Sequence, residues 1–424
     1  VGEYLGGIQI YTSFYYFGCA ILGALVGAYY KFPLFFLAIP LLFFKKPRIG
    51  LAFLIFFIVN LGFVGNVTVK TEFVGVVKSV QNNSSILKLS YFDGVNWKKL
   101  GFDVLLYNEE KLDTIVYFKG ELRRRNSYPF YYAKPTYLAT ATNYNSFKHR
   151  IYNHFEAFRR YVSKINPFYE SLFGSAARDE DFIQSGLYHI FCVSGMHVSL
   201  LYLFALSIVK LVTHRKFLRI ILSLLFPTIF VIGSGMNLPA FRALLMLVLS
   251  SIFQLADYKI NPINTVSIIG TAMIIANPEI VYSLSFYMTF FATIGVLVCD
   301  NKILTNVGGF LGSAPYVSLI NPVNPFSIVG TIIVSIPVQI IMFGLTISYL
   351  LFSSKMYYLS SFVLYALSPF AWFVKLVAQT LSKFPTIPRH PSITIAFALT
   401  YVIFIAIVIE NKRGTNLNMV PRNI

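Results

Sequence analysis

Four groups able to do chemistry and one glycine stand within nine residues of one another: His189, Cys192, Ser194, Gly195 and His197, in the run GLYHIFCVSGMHVSLL over residues 186–201. Imidazole, thiol and hydroxyl can hydrogen-bond, bind a metal, or act as nucleophile and base. Inside an apolar segment such groups mark function by default. On an unbroken helix His189 and Cys192 share a face, as do Ser194 and His197. His189 and His197, eight apart, would sit about 80° apart and about 12 Å along the axis, too far to hold one metal ion. No metal and no cofactor is therefore assigned. A break at Ser194-Gly195 would alter this geometry; Gly costs about 1 kcal/mol in a helix interior, and discontinuous helices carry the polar sites of transporters. The bland reading has Ser194 bonding back to its own helix and the histidines facing neighbouring helices. Five such residues in nine favour a functional one.

Arg242, in Leu238-Pro239-Ala240-Phe241-Arg242-Ala243, is the second anomaly. Pro239 suits a first helical turn, so Arg242 either snorkels to headgroups or faces a wet cavity as a planar fork of donors for phosphate. The Gly233-Ser234-Gly235 turn before it would leave room for such a cavity.

The elements that must position these groups are membrane spans. The 424-residue chain is 56% hydrophobic and 12% charged, with a mean hydropathy of +0.66. Runs approaching the roughly 20 residues that cross a bilayer cover 12–30, 49–65, 186–212, 218–235, 238–256, 262–276, 280–298, 326–351, 359–381 and 393–409, with a shorter one at 32–44. Gly, Pro and Asn crowd residues 300–324, which is expected to be irregular or re-entrant rather than one regular helix.

Residues 66–143 break the pattern. Short alternating runs at 72–80, 86–92, 97–106, 113–122 and 135–140, separated by turn clusters such as Asn82-Asn83-Ser84-Ser85 and Asp93-Gly94, predict a small five-stranded barrel, OB-type or SH3-like. An amphipathic helix follows at 147–165, with Phe147, Ile151, Phe155, Phe158 and Val162 opposite Lys148, Arg150, Arg159, Arg160 and Lys164; it is expected to lie on the membrane surface. The fold class is thus a polytopic α-helical membrane protein with an inserted small β-barrel. Its divisions are 1–65 (first spans), 66–143 (β domain), 144–182 (helix and connector), 183–410 (multi-helix domain) and 411–424 (basic tail).

Net charge is +18 and the pI about 9.6, much of which is topology and headgroup contact. Basic clusters at Lys45, Lys46 and Arg48, and at His214, Arg215, Lys216 and Arg219, are expected in the cytoplasm, which sets the β domain on the outer face. In that domain Lys98, Lys99, Arg123, Arg124 and Arg125 lie among the rings of Tyr91, Phe92, Trp97, Tyr128, Phe130, Tyr131 and Tyr132. Cations that follow phosphates, with rings on which bases stack, suit single-strand binding; the bland reading makes the rings barrel core and surface anchors. Cys19, Cys192 and Cys299 lie in apolar spans without paired spacing and read as packing residues.

Gly186-Leu187, His189 and Val193-Ser194-Gly195-Met196-His197 resemble the signature of the competence membrane proteins, the ComEC/Rec2 family. Leu172-Phe173-Gly174 with the acidic stretch to Asp181 resembles the approach to it. Pro239-Ala240-Phe241-Arg242-Ala243 is similar to the family's Pro-x-x-Arg-Ala element, Asn261-Pro262 and Asn277-Pro278 to two following loops, and residues 112–120 to a strand of its β domain. The resemblance implies a multi-pass protein of the bacterial cytoplasmic membrane that passes single-stranded DNA during natural transformation, with an outer OB-like domain. His189, Ser194, Gly195, His197 and Arg242 become the expected translocation residues. No His-x-His-x-Asp-His run and no Gly-x-x-x-x-Gly-Lys-Ser/Thr loop occurs. The chain is expected to be a channel and not an enzyme, short of the family's metallo-β-lactamase-like domain. Its expected partners are single-stranded DNA, membrane lipids, a separate DNA receptor, a cytoplasmic helicase-like ATPase and a separate nuclease. Two rivals remain. One is an intramembrane serine protease using Ser194 and His197, which three residues on one helix leave without a preorganised oxyanion site. The other is a small-solute permease, whose usual internal repeats are not visible here.

Overall fold

The computed structural model describes residues 17–18, 20–21, 70–81, 84–108, 110–125, 129, 131–142, 146–175, 179–191, 195–258, 261–299 and 301–418. The expected spans at 32–44 and 49–65, most of that at 12–30, and Cys19, Cys192, Ser194, Tyr128, Phe130 and the last six residues lie outside them. Two compact units divide the chain: Val1–Ala177, Ile190–Ser283 and Gln339–Pro369 form the first, Arg178–His189, Leu284–Val338 and Phe370–Ile424 the second.

In the first unit five strands, β1 (Lys70–Gln81), β2 (Ser84–Phe92), β3 (Trp97–Leu106), β4 (Ile115–Arg124) and β5 (Tyr131–Ala141), form a closed barrel in the order β1-β2-β3-β5-β4. All neighbours are antiparallel except β3 and β5. That order, with its one parallel pair, is OB-like and not SH3-like. Alternation drives it: Phe73, Val77, Leu87, Leu89, Val104, Val116, Phe118 and Leu122 point inward and are fully or almost fully buried. Phe73 and Phe118 stack at 4.8 Å in the centre.

The helix α1 (Phe147–Ile165) is capped by Ser146, whose hydroxyl accepts from His149 N–H. Its apolar stripe, expected on the membrane surface, leaves Phe147 exposed but is turned inward along its middle. Phe155 and Phe158 are buried against Phe173, Phe230 and Tyr349, around an apolar cavity of about 100 Å³. Burying two Phe side chains in protein packing outcompetes shallow insertion into an interface.

Further helices of this unit are α2 (Gly195–Val212), α3 (Lys216–Gly233), α4 (Leu238–Leu255) and α5 (Pro262–Ala276). They pack in sequence, α2 on α3 and α4, and α4 on α5. Phe17 of the first apolar run lies on Gly270 of α5, where a Cβ would overlap its ring. The span read at 186–212 starts nine residues late, at Gly195, after a short 3₁₀ turn at Tyr188–Ile190. His189 lies in that turn and His197 in α2, so the two do not share a helix.

The second unit holds α6 (Leu284–Val298) and α7 (Lys302–Val317), the first half of α8 (Ser327–Ser353), the second half of α9 (Tyr357–Leu381), and α10 (Pro391–Asn418). The expectation of irregular backbone over 300–324 fails for most of it, since α7 is a continuous 16-residue helix with Pro315 in its last turn. Its glycines are contact points rather than breakers. Gly308 faces Gly295, and Gly312 faces the Phe291 carbonyl, each so closely that a Cβ would overlap backbone. Tyr287 stacks on Tyr316 at 5.3 Å further along the same antiparallel seam. Helices of 15 and 16 residues reach about 22–24 Å, short of the roughly 30 Å hydrocarbon.

Among the described residues five helices are long and apolar enough to cross a membrane, α3, α4, α8, α9 and α10. The protein is a multi-pass membrane protein carrying a small β-barrel.

Candidate DNA-translocation site

The first unit brings together three of the expected residues. Gly195 opens α2, with His197 two residues on; Pro239 and Arg242 lie in the first turn or so of α4. A Cβ on Gly195 would stand 3.6 Å from that of Ala243, ordinary contact, so the two N-termini meet there. His197 is 0% exposed and Arg242 6%, which removes the snorkelling alternative for Arg242. Two helix N-termini each carry about half a positive charge, and Arg242 adds a full one. The junction is therefore a cationic point at one end of the α2–α4 bundle. Ser194 lies outside the described residues.

The turn before Arg242 does not leave the expected cavity. Gly235 has φ +84°, and a Cβ there would come within 2.8 Å of Val80 O. Val80 N–H of β1 donates to Gly235 O at 3.0 Å, and Ile232 and Met236 join the barrel core. The space is filled by the barrel itself. A second contact lies on β3. Asp103 N–H donates to Glu279 Oε2 at 3.0 Å, and Asn277 Nδ2 donates to Asp103 Oδ2 at 2.6 Å. A third comes from α1, where His149 Nδ1 is 3.0 Å from Leu112 O, Ser146 bonds Asp113, and Tyr152 enters the barrel core. The barrel is thus fixed to the helices at three places.

Glu279 sits outside the spans in the short turn Pro278–Tyr282. Burial, reinforced by the Asp103 carboxylate, pushes its acid up to about 8, against the opposing pull of the Asp103 N–H and Lys78. Sequence reading passed over both acids; an acidic residue beside Pro at the mouth of a span was the available signal for Glu279.

The sides of the bundle can be read from the same contacts. Lys216, opening α3, pairs with Asp257 just past α4, whereas the barrel holds the turn at the other end of α3. Eighteen helical residues, about 27 Å, separate the basic loop from the barrel.

His189 belongs to the second unit, where it is exposed and its Nδ1 lies 3.0 Å from Gly186 O. Gly186, at φ +74°, turns the chain against Ser327. Asn324 locks this corner. It is 1% exposed, its Nδ2 donates to Gln184 O at 3.0 Å and Leu381 O at 3.1 Å, and its Oδ1 accepts from Phe326 N–H at 2.9 Å. In the sequence Asn324 stands only as the end of the Gly-, Pro- and Asn-rich stretch 300–324.

On the barrel the candidate DNA contacts fall into two groups. Tyr91, Trp97, Lys98 and Lys99 lie at the β2–β3 hairpin, with Tyr91 opposite Lys98 and Phe92 opposite Trp97. Arg123, Arg124 and Arg125 lie by Tyr107 and Tyr132, at the other end of β3. Ten residues of strand, about 33 Å, separate the ends. Lys98 is matched with Asp93 at 2.6 Å and Arg123 with Glu121 at 2.5 Å. Trp97 is 47% exposed and Tyr107 61%, so rings are available for stacking in both groups. Tyr131, expected among them, is core instead at 3% exposure. Among the described residues no three His, Cys, Asp or Glu side chains gather as a metal site would require.

A family model described as Competence protein matches residues 173–413. That range contains the 186–201 signature, the α2–α4 junction and Asn324. The chain belongs to the Competence protein family. An uncharacterized protein of Aquifex aeolicus (strain VF5) is 28% identical over 182 residues, 39% of this chain and 42% of that protein. The match therefore covers less than half of that relative's length. No solved structure matches the chain.

Proposed function

We propose that this Competence-family protein is a channel for single-stranded DNA in the bacterial cytoplasmic membrane, with its OB-like barrel on the outer face. The observation that carries this is the junction of the α2 and α4 N-termini beside buried Arg242, at the barrel end of the bundle. A polyanion entering hydrocarbon needs positive potential at the mouth and weak, repeated contacts along the path. Helix N-termini with one guanidinium supply the first. The basic loop at the far end of α3 supports the orientation, because Lys and Arg favour the cytoplasm.

In this reading DNA meets the barrel through Tyr91, Trp97, Lys98 and Lys99 or through Arg123, Arg124 and Arg125. It then passes a constriction shaped by Gly195, His197 and Arg242. The chain transports and does not hydrolyse, so a separate receptor, a nuclease and a cytoplasmic helicase-like ATPase deliver, trim and pull the strand.

Voltage can replace the motor in a test. With purified protein in a planar bilayer, single-stranded DNA on the barrel side should give transient current blockades, less frequent by tenfold or more in Arg242→Ala. A conductance indifferent to DNA, or no conductance from protein inserted in the bilayer, would remove the channel reading.

A further inference from the structure

The contact between β3 and the turn Pro278–Tyr282 is built from two acids, one lysine and one amide. Asp103 is 5% exposed and Glu279 3%. Lys78 Nζ of β1 donates to Asp103 Oδ1 at 3.3 Å and Oδ2 at 3.0 Å. Asn277 Nδ2 donates to Oδ2 of the same carboxylate at 2.6 Å, and the Asp103 backbone N–H donates to Glu279 Oε2 at 3.0 Å. Among the described residues the charged groups acting on Glu279 are Asp103 on β3 and Lys78 on β1.

Charge counting separates two states of this contact. With Glu279 neutral, one carboxylate faces one ammonium, and every group named has a hydrogen bond. With Glu279 ionised, a second buried carboxylate stands beside that of Asp103, and among the described residues the cation acting on it is Lys78, whose side chain is 47% exposed. Like charges held this close in a poorly solvated place drive the groups apart. The other two attachments, at Val80–Gly235 and at His149–Leu112, do not depend on this carboxylate and would serve as the hinge.

We infer that Glu279 is a proton-controlled latch: protonated, it holds the β3 edge of the barrel on the helices, and on losing its proton it lets that edge swing away. This inference does not rest on the DNA-channel reading. The sign follows from linkage. The acid ordinarily ionises near 4.5 and is raised to about 8 when docked. Its contribution is therefore complete below about pH 4.5, falls as pH rises, and is gone above about pH 8. Opening of the edge grows by at most about tenfold per pH unit across that window, since one proton is released, and then levels off.

The Asp103 amide is itself a latch group, so its hydrogen exchange reports the state directly. In the full chain in lipid nanodiscs, exchange of a peptide covering residues 100–106 is measured from pH 5.5 to 9 and corrected for the intrinsic pH dependence. The corrected rate should rise toward pH 8 and then flatten. The core of β2 around Leu87 and Leu89 should show no such rise. Glu279→Gln should give a flat profile. Asp103→Asn, which removes the second carboxylate and keeps acceptors for Lys78 and Asn277, should shift the levelling-off to lower pH. A flat wild-type profile, or an unchanged rise in Glu279→Gln, would overturn the latch. The wild-type profile decides even if both variants fail to fold.

Discussion

Gly195 is the residue whose surroundings most sharply divide small from large replacements. A methyl group there meets Ala243 at an ordinary 3.6 Å, so Gly195→Ala should keep DNA entry within about threefold of wild type. Gly195→Leu extends into the α4 N-terminus beside Arg242 and should abolish entry at unchanged membrane levels, read by immunoblot together with uptake of labelled DNA. Equal activity of both variants would take Gly195 out of the path. Asn324 acts differently, through the fold. Truncation to Ala leaves the carbonyls of Gln184 and Leu381 without their amide donor, at about 1–3 kcal/mol each. Thermal unfolding in detergent should register a clearly lowered Tm for Asn324→Ala, whereas an unchanged Tm would mean that water replaces the amide freely.

At the scale of elements, the α6–α7 hairpin is a seam of glycines. Gly312→Leu must lift α7 off the Phe291 backbone, because close approach between membrane helices depends on small residues. Loss of protease-resistant, monodisperse protein is expected for Gly312→Leu, while Gly309→Ala, which meets the exposed Val296 side chain rather than backbone, should remain folded. Composition misled the reading of this region. Gly and Pro count as breakers in an isolated chain, but within α7 the glycines Gly308 and Gly312 face α6, and Pro315 falls where little helix remains to disrupt. The spans and strands were legible because hydropathy and alternation are local properties: Trp97–Leu106 and Pro262–Ala276 fall where the pattern put them. The start of α2 was not, since a glycine inside an apolar run is compatible with either a break or a close contact. The amphipathic α1 showed its period but not its partner, as Phe155 and Phe158 would look the same against lipid or against Phe230 and Tyr349.

At the scale of the whole molecule, contacts between residues remote in sequence do the organising. Asp103 and Glu279 are 176 positions apart, and nothing in either neighbourhood announces the other. The signature at 186–201 was visible from its residue types, but its division into an exposed His189 and a buried His197 needed the fold. The barrel and the cationic junction are both first-unit features, and under the proposed channel, DNA contact on the barrel and entry at Arg242 would be successive steps. Uptake of duplex DNA labelled in one strand or the other, into a nuclease-resistant pool of a competent host lacking its own channel gene, tests this most directly. Wild-type chain should restore entry of one strand only, and His197→Ala and Arg242→Ala should lower it at least tenfold without changing DNA bound at the surface; entry of both strands, or full entry through both variants, would contradict the channel.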